Sequence, residues 1–126
     1  MNRYNTFENV LSDCYIAKKN KSTKDDYGNE IPNYKLYSDK PFQLNIQQIN
    51  QSSDIQTFGE KVNRMKVALI KGEEKEIFKN FNEFDLAYLD GATPNNEEVV
   101  GSNANYRVYS IKPQNVALLV YFEKII

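Results

Sequence analysis

Residues 106–122 read YRVYSIKPQNVALLVYF, and this stretch decides the fold class. Two runs rich in Tyr, Val, Ile and Phe flank a polar link at 112–115, and such residues suit a pleated, half-buried surface. A link this short favours antiparallel pairing of strands at 106–111 and 116–122. The 9 Tyr and 7 Phe of the whole chain extend the same preference to other segments.

The second strong signal lies at 42–47, where FQLNIQ alternates apolar and polar residues with a period of two. This alternation predicts that Phe42, Leu44 and Ile46 face the core. Similar but looser patterns predict strands at 13–19, 33–37, 62–70 and 85–89. On the strand at 62–70, the alternation separates Met65, Val67 and Leu69 from Arg64, Lys66 and Ala68. The acid-rich start of 73–79 favours a short helix, with a strand as the alternative.

The pattern as a whole predicts one mainly β domain over residues 1–126. We expect an N-terminal arm at 1–12 and a core at 13–124, interrupted by loops at 20–33, 47–61 and 91–104. Turn-forming residues mark the first and last of these loops, and the middle one includes a capped helical turn. Six to seven strands with one or two short helices favour a small antiparallel barrel or sandwich, because antiparallel sheets must close or cover their edges.

Composition narrows the classes of function. Sixteen basic and 17 acidic residues give a net charge of -1, which argues against a broad phosphate-binding face. The longest apolar run, at 116–122, is far shorter than the roughly 20 residues that span a bilayer. We therefore expect no membrane contact, and the polar residues after Met1 predict no secretory signal.

The side chains that usually carry catalysis are scarce. The chain has no His, which removes the commonest general base near neutral pH and the usual zinc ligand sets. The five Gly residues are too scattered for a phosphate-binding loop. We accordingly predict no catalytic residue, no metal ligand and no cofactor. The single Cys14 alternates with apolar neighbours, so we expect a buried small hydrophobe.

Two acidic clusters have competing interpretations. Lysines interleave with Glu73, Glu74 and Glu76, as on an ordinary solvated face. Glu83 and Asp85 are compatible with the paired acids of a glycoside hydrolase, but Asp85 directly precedes a predicted strand and is also placed to cap a loop. The structural interpretation is favoured for the first cluster, and both interpretations of the second stay open at this point.

Two further sets of residues are candidates for interaction. A Gln/Asn-rich segment rich in hydrogen-bonding groups and low in charge suits an interface or a channel lining, and its candidates are Gln47, Gln48, Asn50, Gln51, Ser52, Ser53, Asp54, Gln56 and Phe58. The only concentration of basic residues, at 18–24, is followed at once by acidic residues, which favours a solvated hairpin tip over a local contact with a phosphate backbone. With a later Asn-rich loop it gives the candidate subunit or partner contacts Lys18, Lys19, Lys21, Tyr27, Asn95, Asn96 and Glu97.

Three passages, taken in order, resemble the small head-tail connector proteins of tailed bacteriophages. The first is a strand followed by the polar hairpin DYGNE at 26–30. The second is PFQLNIQ at 41–47, which runs into SSDIQTFG at 52–59. The third is FDLAYL at 84–89, followed by a loop, ANYRVYSI at 104–111 and a final apolar strand. Together they place the resemblance over most of residues 13–124.

The resemblance implies a small β-barrel that assembles into a ring, commonly of twelve copies, in the neck of the virion. Its implied partners are the portal or adaptor ring and tail-side proteins, and its implied location is the host cytoplasm before assembly. In closure proteins of this kind a loop between two early strands projects into the channel and helps retain packaged DNA, and residues 47–63 occupy that position here. A near-neutral protein would make only transient, non-specific contact with sliding DNA.

Other classes of function remain as alternatives at this stage. A small barrel is also able to act as a binding module for single-stranded nucleic acid or saccharide, with Tyr15, Tyr27, Tyr34 and Tyr37 stacking on bases or sugar rings. A hydrolase that uses Glu83 and Asp85 is the third and least supported class, since the sequence gives no sign of a tuned acid-base pair.

Overall fold

The computed structural model describes residues 11–49, 52–94 and 103–125. The chain is mainly β, as predicted, with seven strands and two short helices in the described part. The strands are β1 (Ser12–Lys24), β2 (Glu30–Leu36), β3 (Phe42–Gln48), β4 (Met65–Ile70), β5 (Leu86–Tyr88), β6 (Tyr106–Pro113) and β7 (Leu118–Lys124). The helices are α1 (Ser52–Phe58), which continues into a 3₁₀ segment at Gly59–Arg64, and α2 (Glu73–Phe78).

Six strands close into an antiparallel barrel in the order β1, β3, β4, β7, β6, β5 and back to β1. Closure depends on the length of β1. Its first residues, Ser12 to Cys14, pair with β3, and Tyr15 to Ala17 pair with β5. The seventh strand, β2, pairs only with β1 among the described strands. Closing the sheet removes the exposed edges of the six barrel strands.

The barrel interior is filled by apolar side chains that alternate along each strand. Leu44 is 4% exposed, and Phe42 and Ile46 pack against the same cluster, so the predicted core face of β3 is confirmed. Cys14 is fully buried there, as predicted, and desolvation raises the pKa of its thiol. Phe78, the last residue of α2, and Phe81, three residues beyond it, join this cluster. The helix predicted at 73–79 is confirmed.

A second apolar cluster covers the outer wall of β4 and β7. It includes Met65 and Val67, with Phe58 and Val62 from α1 and the 3₁₀ segment packed against it. On the opposite face of β4, Ala68 and Ile70 fill the barrel interior. The predicted separation of Met65, Val67 and Leu69 from Ala68 is confirmed. Both faces of β4 are nevertheless buried, because the helical segment covers the outer face.

One predicted loop is shorter in the structure, and one predicted turn is displaced along the chain. The loop predicted at 20–33 is wrong in extent, because β1 runs to Lys24 and β2 begins at Glu30, leaving only a tight turn. The amide of Asp25 donates to the carbonyl of Asn29, and Gly28 has a φ of 80°. A left-handed residue after two turn residues is typical of hairpins that have a bulge at the turn. The terminal hairpin is confirmed, with its turn at 114–117 because β6 extends to Pro113.

Candidate functional site

The β1–β2 hairpin extends beyond the barrel as a two-stranded ribbon, residues 18–35. The last β1 residue to pair with β5 is Ala17, whereas pairing with β2 continues to Lys24. Tyr27 at the turn is 91% exposed. In the described residues the ribbon therefore has no further strand beside it.

Hydrogen bonds anchor the base of this ribbon to the barrel. The Lys18 ammonium donates to the carbonyl oxygen of Asn80 at 2.8 Å and lies 5.6 Å from the ring centroid of Phe81. The amide of Lys19 donates to Oδ1 of Asp85 at 2.9 Å. Lys18 and Lys19 were predicted to lie at a solvated hairpin tip. That prediction is wrong, because the tip is at Tyr27 and both lysines hold the ribbon to the barrel.

The hydrogen-bond ladder shows which backbone amides of β2 point away from β1. The amide of Tyr37 donates to the carbonyl of Ile16 at 2.9 Å, and hydrogen-bonded pairs alternate with non-hydrogen-bonded pairs in an antiparallel ladder. With the register Lys18↔Lys35 and Lys19↔Tyr34, the Lys35 amide points toward β1 and the Tyr34 amide points away from it. The donation by Lys19 to Asp85, on the side of β1 opposite β2, agrees with this alternation.

A turn at 82–85 presents an aromatic side chain next to the base of the ribbon. The amide of Asp85 donates to the carbonyl of Asn82 at 3.1 Å, and Phe84 has a φ of 77°. A positive φ at the third residue is the mark of a type II turn, where Gly or Asn is usual. Phe84 is nevertheless 57% exposed. A bulky residue in this backbone region is strained by about 1–3 kcal/mol, and such strain concentrates at functional sites.

The carboxylate of Asp85 holds this turn in place. Besides the Lys19 amide, it accepts a hydrogen bond from the Asn82 amide at 2.8 Å. The backbone on either side is tied to β6, because the Val108 amide donates to the Asp85 carbonyl at 2.8 Å. Asp85 is 2% exposed. The loop-capping interpretation of Asp85 is therefore confirmed.

Cations and aromatic rings alternate across the outer face of the barrel from this turn. We call Lys19, Phe84, Arg107, Tyr109 and Lys61 the cation-aromatic strip. Lys19 Nζ and Arg107 Cζ each lie 5.9 Å from the Phe84 ring centroid. Arg107 Cζ lies 5.3 Å, and Lys61 Nζ 5.1 Å, from the ring centroid of Tyr109. Each of the two rings thus lies close to two cations.

A buried acid orients the central arginine of the strip. Glu123 is 6% exposed, and its Oε1 accepts a hydrogen bond from Arg107 Nε at 3.0 Å. Its other oxygen, Oε2, lies 3.4 Å from a guanidinium nitrogen of Arg64. Two cations therefore satisfy one buried carboxylate, and the Arg107 plane is fixed between the two aromatic rings.

The residues predicted for a channel loop are divided between a strand and a helix. Gln47 and Gln48 lie in β3 and pair with β4. Gln56 is exposed on α1, whereas the Phe58 ring packs against Tyr121 and Tyr109, with centroids 5.0 and 5.6 Å apart. A loop with a short helix is confirmed, but in its described part the segment lies on the barrel wall, because Phe58 and Val62 are apolar and cover β4 and β7.

Several of the predicted interaction residues lie outside the part of the chain that the structure describes. Asn50, Gln51, Asn95, Asn96 and Glu97 lie outside the described residues, as do residues 1–10 of the predicted arm and residues 95–102 of the loop predicted at 91–104. The side chains of four others, whose backbone belongs to β1 or α1, are likewise outside the description: Lys21, Ser52, Ser53 and Asp54.

The comparisons with known proteins are negative. No family model, no curated protein and no solved structure matches the chain. No group of three or more His, Cys, Asp and Glu side chains able to hold a metal ion occurs within 11–49, 52–94 and 103–125. None of the helices in those ranges is long and apolar enough to cross a membrane.

Proposed function

We propose that this chain is a structural assembly protein of the neck of a tailed bacteriophage. In this proposal copies of the chain form a ring of twelve that joins the DNA-filled head to the tail and helps to close the portal channel. Its partners are the portal or adaptor ring and tail-side proteins, and it resides in the host cytoplasm before assembly. The resemblance of three ordered sequence passages to head-tail connector proteins is the starting point.

The ribbon is the observation that carries the proposal. A two-stranded hairpin is at best marginally stable alone in water, yet this one extends by seven residues of β1, Lys18 to Lys24, past the last pair with β5. No described strand other than β1 pairs with β2. Unpaired edges are templates for strand addition by another chain. A neighbouring copy that pairs with the ribbon would supply the stabilisation that an isolated hairpin lacks.

Only a few residues of β2 are suited to pair with a strand from another copy. Pro32 lacks an amide hydrogen and limits strand addition toward the ribbon tip. Closer to the barrel, Tyr34 presents its amide away from β1. We place the contact at residues 34–36, against a different surface of the next copy. Contacts between unlike surfaces generate closed rings when the rotation between copies is suitable.

The helical cover supplies a second proposed contact. Gln48 and Gln56 are exposed beside the apolar side chains that seat α1 on the barrel wall. Polar, uncharged side chains at such a position suit either a neighbouring subunit or a channel through which DNA slides, because they do not hold phosphates in place. Contact with packaged DNA at this surface would be transient and independent of sequence.

A proline variant tests the ribbon edge. Tyr34→Pro removes an amide that points away from β1, so it should block strand addition and leave the ribbon ladder intact. Tyr34→Ala is the matched control, because it removes the same ring and keeps the amide. Sedimentation velocity should show assembly by the parent chain and by Tyr34→Ala, and its loss in Tyr34→Pro. Equal behaviour of the two variants would contradict edge pairing.

A binding module built on the four predicted tyrosines has less support. Tyr37 packs against Phe42 and Phe81, with centroid distances of 5.6 and 5.3 Å. Tyr15 instead contacts Tyr88 edge-on at 6.4 Å. Because these two rings are engaged at separate places in the fold, the four tyrosines do not offer one stacking platform.

A further inference from the structure

We propose that the exposed ring of Tyr27, at the ribbon tip, docks into an apolar groove between α1 and β6 of a second copy of this chain. This inference rests on the proposed ring and deepens it, because it names the side chain and the groove that meet. The ribbon extends beyond the barrel, whereas the groove lies on the barrel wall. A contact between such unlike surfaces is head-to-tail and closes into a ring when the rotation between copies is suitable.

The groove lies where α1 meets the far end of β6, and it has a volume of about 340 Å³. Its apolar lining comes from α1, β6 and β7, and consists of Phe58, Ile111, Pro113 and Tyr121. Val116, in the turn that follows Pro113, is 77% exposed. Pockets that hold small molecules measure roughly 300–1,000 Å³, so the groove is large enough for one aromatic side chain.

The ring of Tyr27 is presented on an ordered turn. It is 91% exposed, the most exposed large hydrophobic side chain of the described residues. Its amide donates to Oδ1 of Asp25 at 2.9 Å, and the Gly28 amide donates to the Asp25 carbonyl at 3.0 Å. A ring on a fixed backbone loses little entropy when a partner buries it. The hydroxyl of Ser110, in the groove lining, is a suitable hydrogen-bond partner for the tyrosine hydroxyl.

The charges of the tip and the groove are opposite. Residues 24–30 contain three acids and one lysine, and Asp26 and Glu30 are exposed there. None of the described residues that line the groove is acidic, whereas Lys112 belongs to the lining and is exposed. Among the ion pairs of the described residues, none includes Lys112. An acidic tip supplies the missing counter-charge, and this complementarity favours the ribbon tip of a second copy as the occupant.

The length of the ribbon allows one neighbour to receive both proposed contacts. Tyr27 and Tyr34 are seven residues apart, which is at most about 23 Å along a strand. A domain of 126 residues has a radius of gyration of about 14 Å, so its width exceeds that separation. The edge contact at residues 34–36 and the tip contact therefore fit on the same copy.

Sedimentation velocity over a range of protein concentrations tests the tip contact. Tyr27→Ala should weaken the association between copies about 30-fold or more, because an aromatic ring buried in a groove is typical of the residues that dominate interfaces. Phe84→Ala is the matched control, since it removes a 57% exposed ring that belongs to neither surface. This control should assemble like the parent chain.

Charge reversal supplies a second test that a folding defect does not imitate. Lys112→Glu makes the groove acidic, and Asp26→Lys together with Glu30→Lys makes the tip basic. Each of these chains alone should associate about 5-fold or more weakly than the parent at low salt. Mixing the two should restore assembly, because each tip then meets a groove of opposite charge on the other chain. All three residues are exposed, so thermal unfolding should match that of the parent.

The outcomes separate the tip contact from the proposed ring. Rings that Tyr27→Ala leaves intact, or a mixture that assembles no better than its parts, would overturn the tip contact and exclude a second copy as the occupant of the groove, while the ring itself stands. Loss of assembly in Tyr27→Ala but not in Tyr34→Pro would support the tip contact and contradict the edge contact. A parent chain that stays monomeric at every concentration would overturn both.

Discussion

A comparison of Asp85 with Asp25 measures how burial changes the contribution of one hydrogen-bond pattern to the free energy of unfolding. Each carboxylate accepts two backbone amides: Asp85 accepts those of Lys19 and Asn82 at 2.9 and 2.8 Å. Asp25 accepts those of Tyr27 and Asn29, both at 2.9 Å. Asp85 is 2% exposed, whereas Asp25 lies at the solvated ribbon turn. The hydrogen bond from the Asn29 amide, with that from Tyr27, lowers the pKa of Asp25.

Replacement by alanine should therefore have unequal effects. In Asp85→Ala the two amides lose their acceptor where water has little access, and each such donor costs about 1–3 kcal/mol. We expect Asp85→Ala to lower the free energy of unfolding by about 2–5 kcal/mol. In Asp25→Ala water replaces the carboxylate as acceptor, so the loss should be clearly smaller.

Urea unfolding followed by far-ultraviolet circular dichroism is the suitable assay, because the chain has no Trp to report by fluorescence. Both variants should be measured in the same buffer at the same pH. The reasoning would be refuted by equal losses in the two variants, or by a loss under about 1 kcal/mol in Asp85→Ala.

Three further predictions concern the core and the charged groups. Phe78→Ala, which empties a fully buried site, should lower the free energy of unfolding by about 3–5 kcal/mol in urea, and an effect on the scale of a surface change would contradict the packing. Arg107→Ala leaves buried Glu123 with only Arg64 and should lower the free energy of unfolding by about 1–3 kcal/mol. Adding Glu123→Gln should recover part of this loss, and no recovery would count against the ion pair. Burial and the bond to Asp90 raise the pKa of Tyr106 from 10.0 to about 12, so its contribution to stability is complete below pH 10 and falls as the pH rises toward 12. Alkaline unfolding curves should lack this component in Tyr106→Phe, and identical curves would contradict it.

The strands that line the barrel could be predicted from the sequence, because their side chains alternate between the core and the exterior. Phe42, Leu44 and Ile46 on β3 and the terminal hairpin follow this rule directly. Closure of the barrel was not readable in the same way. It depends on Tyr15 to Ala17 of β1 pairing with β5 across some 70 residues of chain, and no local pattern records such a contact.

The ribbon and the strip were missed for different physical reasons. Residues 20–24 are polar, as in a loop, because a ribbon that lies outside the core is held by backbone hydrogen bonds and needs no apolar face. Phe84 gave no signal, since a positive φ at a phenylalanine is imposed by the surrounding structure. Arg107 and Tyr109 could have been found, because residues two apart in a strand share a face.

The packing of the helical cover was also partly readable. Phe58 and Val62 are four residues apart, a spacing that places two apolar side chains on one side of a helical segment. That spacing indicates a buried contact, and in the structure both residues pack on the outer cluster. The Gln and Asn residues of the same segment are polar, and polar residues do not predict which surface the segment packs against.

Electron microscopy of the purified chain, over a range of protein concentrations, tests the central claim most directly. The proposed function predicts closed rings of twelve subunits, each a 14.7 kDa barrel, with ribbons bridging neighbours and with ring formation lost in Tyr34→Pro. Isolated single barrels at every concentration, or rings that Tyr34→Pro leaves intact, would contradict assembly through the ribbon edge.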